Sequence, residues 1–142
     1  MGNFAGPRSL LDVPPPLIAI VDDDERMRSS LDNLIRSVGL RACAFPSALA
    51  FLEASAQLAP DCLILDVRMP GMTGLELQRK LGGSATPVPI IFVTSHIDDD
   101  VKARAIDDGA VAFFYKPFSD DELLEAVDSV VRKDADSDTT KV

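Results

Sequence analysis

The chain has 142 residues, 46% hydrophobic and 26% charged, which is enough for one globular domain with a full core and short tails but not for two domains of ordinary size. Its formal net charge of -9 argues against a nonspecific grip on nucleic acid phosphate or an acidic membrane surface, and suits cation binding. No apolar stretch approaches the roughly 20 residues that cross a bilayer, and the N-terminus lacks the regions of a signal peptide. Gly6 stands where a myristoylation pattern wants Ser or Thr. The two cysteines, Cys43 and Cys62, show no CxxC spacing and suit buried thiols in a reducing cytosol, so a cytoplasmic location is expected.

Residues 1–16 mix Gly, Asn and Ser with four prolines and end in Pro14-Pro15-Pro16, a flexible lead-in that cannot join a ladder. Short apolar runs then alternate with helical patterns, the signature of parallel strands joined by crossover helices. Leu17 to Val21 is the first predicted strand. Met27, Leu31, Leu34, Ile35 and Val38 follow as one apolar helical stripe, with Arg26, Arg28, Asp32 and Arg36 outside it and Gly39 as the stop. Arg41 to Phe45 is a less uniform strand suited to an edge. Ser47 caps a second helix carrying Leu49, Phe51 and Leu52. After the strand Cys62 to Leu65, Thr73 and Glu76 form a capping box for a third helix. Val88 to Val93 is the fourth strand, Asp98-Asp99-Asp100 complement the dipole of a fourth helix, and Gly109 ends it. Val111 to Phe114 is the fifth strand. Ser119 with Glu122 opens a fifth helix whose stripe is Leu123, Leu124, Val127, Val130 and Val131, and residues 133–142 are expected to be a disordered polar tail. Residues 17–132 thus read as a single α/β domain of five βα units.

In an open parallel sheet, ligands bind outside the carboxyl ends of the strands, and the chemically informative residues fall there. The first strand ends in Asp22-Asp23-Asp24, the third in Asp66, the fourth in Thr94-Ser95-His96, and the fifth runs into Tyr115-Lys116-Pro117-Phe118. Two carboxylates about 4 Å apart repel by roughly 4 kcal/mol at an effective dielectric near 20, so the acids need a cation. Asp23 and Asp66 offer hard oxygens suited to Mg²⁺. Asp66 is also a candidate nucleophile, since aspartyl phosphates are established covalent intermediates, and a cation, a Thr hydroxyl and a Lys ammonium together neutralise a phosphoryl group. Asp24 is read equally well as the cap of the first helix.

Ile20-Val21-Asp22-Asp23-Asp24-Glu25, Leu63 to Gly74 with Asp66-Val67-Arg68-Met69-Pro70-Gly71, Val93-Thr94-Ser95 and Lys116-Pro117-Phe118 together resemble a CheY-like response-regulator receiver domain, and in detail the FixJ type. The resemblance implies a (βα)5 doubly wound fold with strand order 2-1-3-4-5. It implies that Asp66 accepts the phosphoryl group, that Asp23 binds Mg²⁺ directly and Asp22 through water, and that the Arg68 carbonyl is a further ligand. Thr94 and Lys116 then contact the phosphoryl group, Lys116-Pro117 resembles the family's cis peptide, and Phe113, three residues before the lysine, is the aromatic that turns inward with Thr94. Arg68 and His96 lie where loss of the acyl phosphate is tuned. The implied donor is a sensor histidine kinase or a histidine phosphotransfer protein. The implied output surface, roughly Asp98 to Arg132, also serves a possible homodimer.

Two other classes compete. A haloacid-dehalogenase-like phosphatase wants a second Asp two residues after the nucleophile, where Arg68 stands. A flavodoxin-like cofactor binder wants hydroxyls and amides in the first loop, where Asp22 to Glu25 would repel a phosphate. FixJ-type receivers commonly precede a DNA-binding effector. No recognition helix follows here, so the expectation is a stand-alone receiver or the receiver part of a longer transcription regulator.

Overall fold

The computed structural model describes residues 13–83 and 87–140, with side chains described as far as residue 131. Ten elements alternate: β1 (Leu17–Val21), α1 (Glu25–Ser37), β2 (Arg41–Phe45), α2 (Ala48–Leu58), β3 (Cys62–Leu65), α3 (Gly74–Gly82), β4 (Ile90–Thr94), α4 (Asp99–Asp107), β5 (Ala112–Tyr115) and α5 (Asp120–Thr140). All strand pairs are parallel and the order is β2-β1-β3-β4-β5, as the resemblance implied.

Strand alternation builds two cores. Ala19, Val21, Leu63, Leu65 and Phe92 pack with Phe51 of α2, Leu77 of α3 and Ala105 of α4. Ile18, Ile20, Ile64, Ile91 and Val93 face the other way, onto Leu31 and Ile35 of α1 and Leu123, Val127 and Val130 of α5. β1, β3 and β4 are buried along their whole length because helices cover both sheet faces, whereas β2 alternates as an edge.

The helix caps follow the sequence. Asp24 accepts from the Arg26 N–H, Ser47 from Ala50, and Asp98 from Asp100 and Val101. Thr73 and Glu76 close the expected reciprocal capping box, and the Ser119 hydroxyl accepts from the Glu122 N–H at 3.3 Å.

Four details differ from the sequence reading. β4 starts at Ile90 because Pro87 and Pro89 cannot donate to the ladder, and it includes Thr94, whose carbonyl accepts the Lys116 N–H at 2.8 Å. β5 is shifted by one residue, leaving Val111 outside it and exposed. Val38 caps α1 outside helical geometry, so it leaves the stripe and lies 50% exposed, and Leu49 points outward from α2. α5 runs to Thr140, past the boundary at residue 132; with no apolar periodicity in that sequence, it propagates a helix nucleated upstream. At the other end residues 1–12 of the expected lead-in lie outside the described residues. Pro15 and Pro16 are tied to β2, their carbonyls accepting from the Arg41 side chain at 2.8 Å and its N–H at 3.0 Å.

Candidate functional site at the carboxyl edge of the sheet

Strand pairing sets the two buried acids side by side. The Asp66 N–H donates to the Val21 carbonyl at 3.0 Å and the Asp22 N–H to the Phe45 carbonyl at 3.2 Å, so each strand delivers its aspartate at the sheet edge. Both are buried, Asp22 at 1% exposure. Asp22 is held on every side: Oδ1 accepts the Asp24 N–H at 2.9 Å, Oδ2 accepts Lys116 Nζ at 2.9 Å, and its carbonyl accepts Arg28 Nη1 at 2.8 Å. Lys116 Nζ also lies 3.8 Å from Asp66 Oδ2, so one ammonium serves both buried carboxylates. The Lys116-Pro117 bond is cis.

Asp22, Asp23 and Asp66 each place an oxygen within 4.8 Å of the others. Asp23 is exposed, so this all-oxygen cluster is open to solvent on one side. Hard carboxylate donors with room for water fit a divalent cation of the Mg²⁺ kind. Asp24, by contrast, is occupied as the α1 cap.

Burial, the Asp22 charge and, more weakly, Asp23 push the Asp66 carboxyl up to about 6, against the opposing effects of Lys116 and the Arg68 N–H. A raised carboxyl means that the native protein holds this proton more tightly than the unfolded chain, so the contribution of Asp66 to stability falls as pH rises from about 4 to about 6 and stays low above that. In metal-free buffer, Asp66→Asn is therefore expected to stabilise the protein by about 1–2 kcal/mol near pH 7.5, after discounting for solvent screening. The gain should vanish toward pH 4. Urea denaturation across that range checks this, and a gain that persists at pH 4 contradicts the charge-repulsion account.

The other residues singled out from sequence surround this group. Thr94 is buried at the end of β4, next to β3, and its Oγ1 accepts the His96 N–H at 3.2 Å. Arg68 Nη2 meets His96 Nε2 at 2.8 Å, and because a guanidinium only donates, Nε2 is the acceptor in this contact. Phe113 is buried, its ring centroid 5.7 Å from that of Phe92 and 5.5 Å from that of Tyr115. Sequence reasoning missed Arg28, which reads as a solvated helix residue until the loop folds back onto it. Gly74 was also missed: a Cβ there would collide with the Asp66 carbonyl oxygen and lie 2.9 Å from Val67 Cα. A glycine at the first position of a helix already capped by Thr73 is the available signal.

Five parallel strands in this order, carrying acids, a hydroxyl and an ammonium at their carboxyl edge, define a CheY-like signalling domain. The family model for the response regulator receiver domain matches residues 18–128, and the chain belongs to that family. It is 48% identical over 116 residues to the response regulator protein TmoT of Ectopseudomonas mendocina, covering 82% of this chain and 53% of that protein. It is 40% identical over 116 residues to the transcriptional regulatory protein FixJ of Bradyrhizobium diazoefficiens, covering 82% and 57%. The crystal structure of a response regulator receiver protein from Burkholderia phymatum matches with a TM-score of 0.71 and 42% identity, over 81% of this chain and 94% of that one. The chain spans about half the length of the curated relatives it matches. Nothing supports the haloacid-dehalogenase alternative. No helix among the described residues is long and apolar enough to cross a membrane.

Proposed function

We propose that the protein is the phosphoacceptor switch of a two-component phosphorelay, with residues 17–132 as the receiver. In this reading it acts in the cytoplasm and takes a phosphoryl group from a sensor histidine kinase or histidine phosphotransfer protein onto Asp66. The convergence of Asp22, Asp23 and Asp66 around a shared Lys116 ammonium carries the reading. Asp23 and Asp66, the Arg68 carbonyl and, through water, Asp22 would hold Mg²⁺, which when bound supplies positive charge to the phosphoryl oxygens.

An Asp66 oxygen attacks phosphorus, the P–N bond to the donor imidazole breaks with its electron pair returning to the ring, and an acyl phosphate forms. Lys116, whose ammonium lies 3.8 Å from Asp66 Oδ2, pairs with a phosphoryl oxygen in this reading. The Thr94 hydroxyl accepts from His96 and so keeps its own proton to donate. The protein turns over no external substrate; it assists only its own phosphorylation and dephosphorylation.

Thr94 and Phe113 form the switch pair. Phe113 packs on Tyr115, whose hydroxyl lies 3.4 Å from Asp99 Oδ1 and whose ring lies 5.7 Å beneath Lys102 Nζ, so a displaced Phe113 bears on α4. The altered surface is the α4-β5-α5 face, where Ile106 and Val111 lie exposed and available to a homodimer partner. The chain itself reads no nucleic acid. A DNA-binding effector on the same polypeptide is the second reading, favoured by the half-length match to relatives such as FixJ; the full coding sequence decides it.

Intact mass after incubation with acetyl phosphate and Mg²⁺ tests the central assignment. Wild type should gain one phosphoryl group and Asp66→Ala none, and a gain in the variant would move the acceptor elsewhere. Arg68 and His96 are joined by a hydrogen bond beside Asp66 and Thr94, so replacing both with Ala should admit water and shorten the phosphoryl half-life by roughly threefold. Equal half-lives would remove that tuning role.

A further inference from the structure

The described residues contain one buried side-chain polar atom without a partner, Gln78 Oε1. Gln78 sits in the middle of α3 at 4% exposure, and its Nε2 donates to the Ala105 carbonyl in α4 at 2.9 Å. The amide orientation follows from chemistry, because the flipped amide would set oxygen against oxygen. The same carbonyl also accepts the Ala110 N–H at 3.0 Å, so the Gln78 bond grips the point where α4 ends and the chain turns into β5.

Little else fixes that helix against α3. Ala105 is the only fully buried side chain of α4, whereas α1 buries Leu31 and Ile35 and α5 buries Leu123, Val127 and Val130. The Arg79 to Asp108 ion pair beside Gln78 is long, 3.7 Å, and exposed, so it adds little. Nearer the phosphoacceptor the α3–α4 seam opens into a cleft lined by Val67, Met69, Leu75 and Val101. A buried amide whose Nε2 is bonded and whose Oε1 has no protein partner is a metastable fastener: it holds while its one protein bond is made, and a displacement that brings an N–H to Oε1 adds a second.

We propose that Gln78 is a positioning residue that latches the C-terminal end of α4 to α3 in the unphosphorylated protein, and that its release is part of the change at the output face. The second half rests on the receiver reading above; the first does not. Loss of the bond should raise the population of the displaced α4 by about fivefold.

Amide hydrogen exchange read by mass spectrometry on the intact chain tests both halves, using wild type, Gln78→Met, which keeps the length without the donor, and Gln78→Leu as a second packing solution. Without ligand, both variants should exchange about fivefold faster over residues 101–110 while α1 and α5 stay at wild-type rates. Unchanged exchange there, or a uniform rise across all helices, overturns the latch. With Mg²⁺ and beryllofluoride, wild type should loosen over the same residues, and the variants should change little further. If wild type responds and the variants respond as strongly, release is not part of the switch. A wild type that ignores beryllofluoride counts against the receiver reading and the release, and leaves the latch to stand or fall on the ligand-free comparison.

Discussion

Gly74→Ala is expected to cost about 3 kcal/mol of stability and to weaken divalent cation binding at the same time. The added methyl would collide with the Asp66 carbonyl oxygen and press on Val67 Cα, both of them backbone atoms that no rotamer change can move aside. Overpacking against side chains typically costs about 1–3 kcal/mol, and a backbone obstacle belongs at the upper end. The strain must be relieved by separating α3 from the end of β3, which stretches the bond from the Gly74 N–H to the Val67 carbonyl, 2.8 Å in the native protein. That loop also carries the Asp66 carboxylate and the Arg68 peptide, so the site loosens with it. Urea denaturation gives the stability loss and a metal titration the affinity; a loss under about 1 kcal/mol with unchanged cation binding would mean that the loop yields freely.

Lys116→Met is expected to destabilise the metal-free protein by about 2–4 kcal/mol, because it strands the Asp22 carboxylate beside Asp66 without its counter-charge. The pair is well shielded, with side chains 13% and 1% exposed. A divalent cation replaces the missing charge, so millimolar Mg²⁺ should stabilise the variant more than it stabilises wild type. Phosphoryl uptake should nonetheless fall by about tenfold or more, since the cation cannot also supply the contact to the phosphoryl group proposed for the ammonium. A variant as stable as wild type in EDTA would show that the ammonium is not what offsets the buried acids.

The sequence made the sheet legible because its central strands, β1, β3 and β4, are covered on both faces and so read as unbroken apolar runs. The acids were legible because two strand ends carry them, and Asp24 was separable from Asp22 only by the cap it makes to Arg26. What stayed hidden depends on contacts across the fold. Arg28 reaches back to a carbonyl six residues earlier, Gln78 finds a carbonyl 27 residues away, and the fault of a Cβ at Gly74 exists only once β3 and α3 meet. Val38 and Leu49 misled for the opposite reason: periodicity marks which residues are apolar, not where a helix stops or which face has no neighbour.

The sheet divides the interior into two cores that share none of the described residues, one beneath α1 and α5 and the other beneath α2, α3 and α4. Phe113, Ala105 and the Gln78 contact belong to the second side. A sequence change beneath α1 therefore leaves the packing of Phe113, Ala105 and Gln78 as it is, whereas a change along the α3–α4 seam is felt by those contacts directly. Such a partition lets the two flanks of one scaffold vary separately.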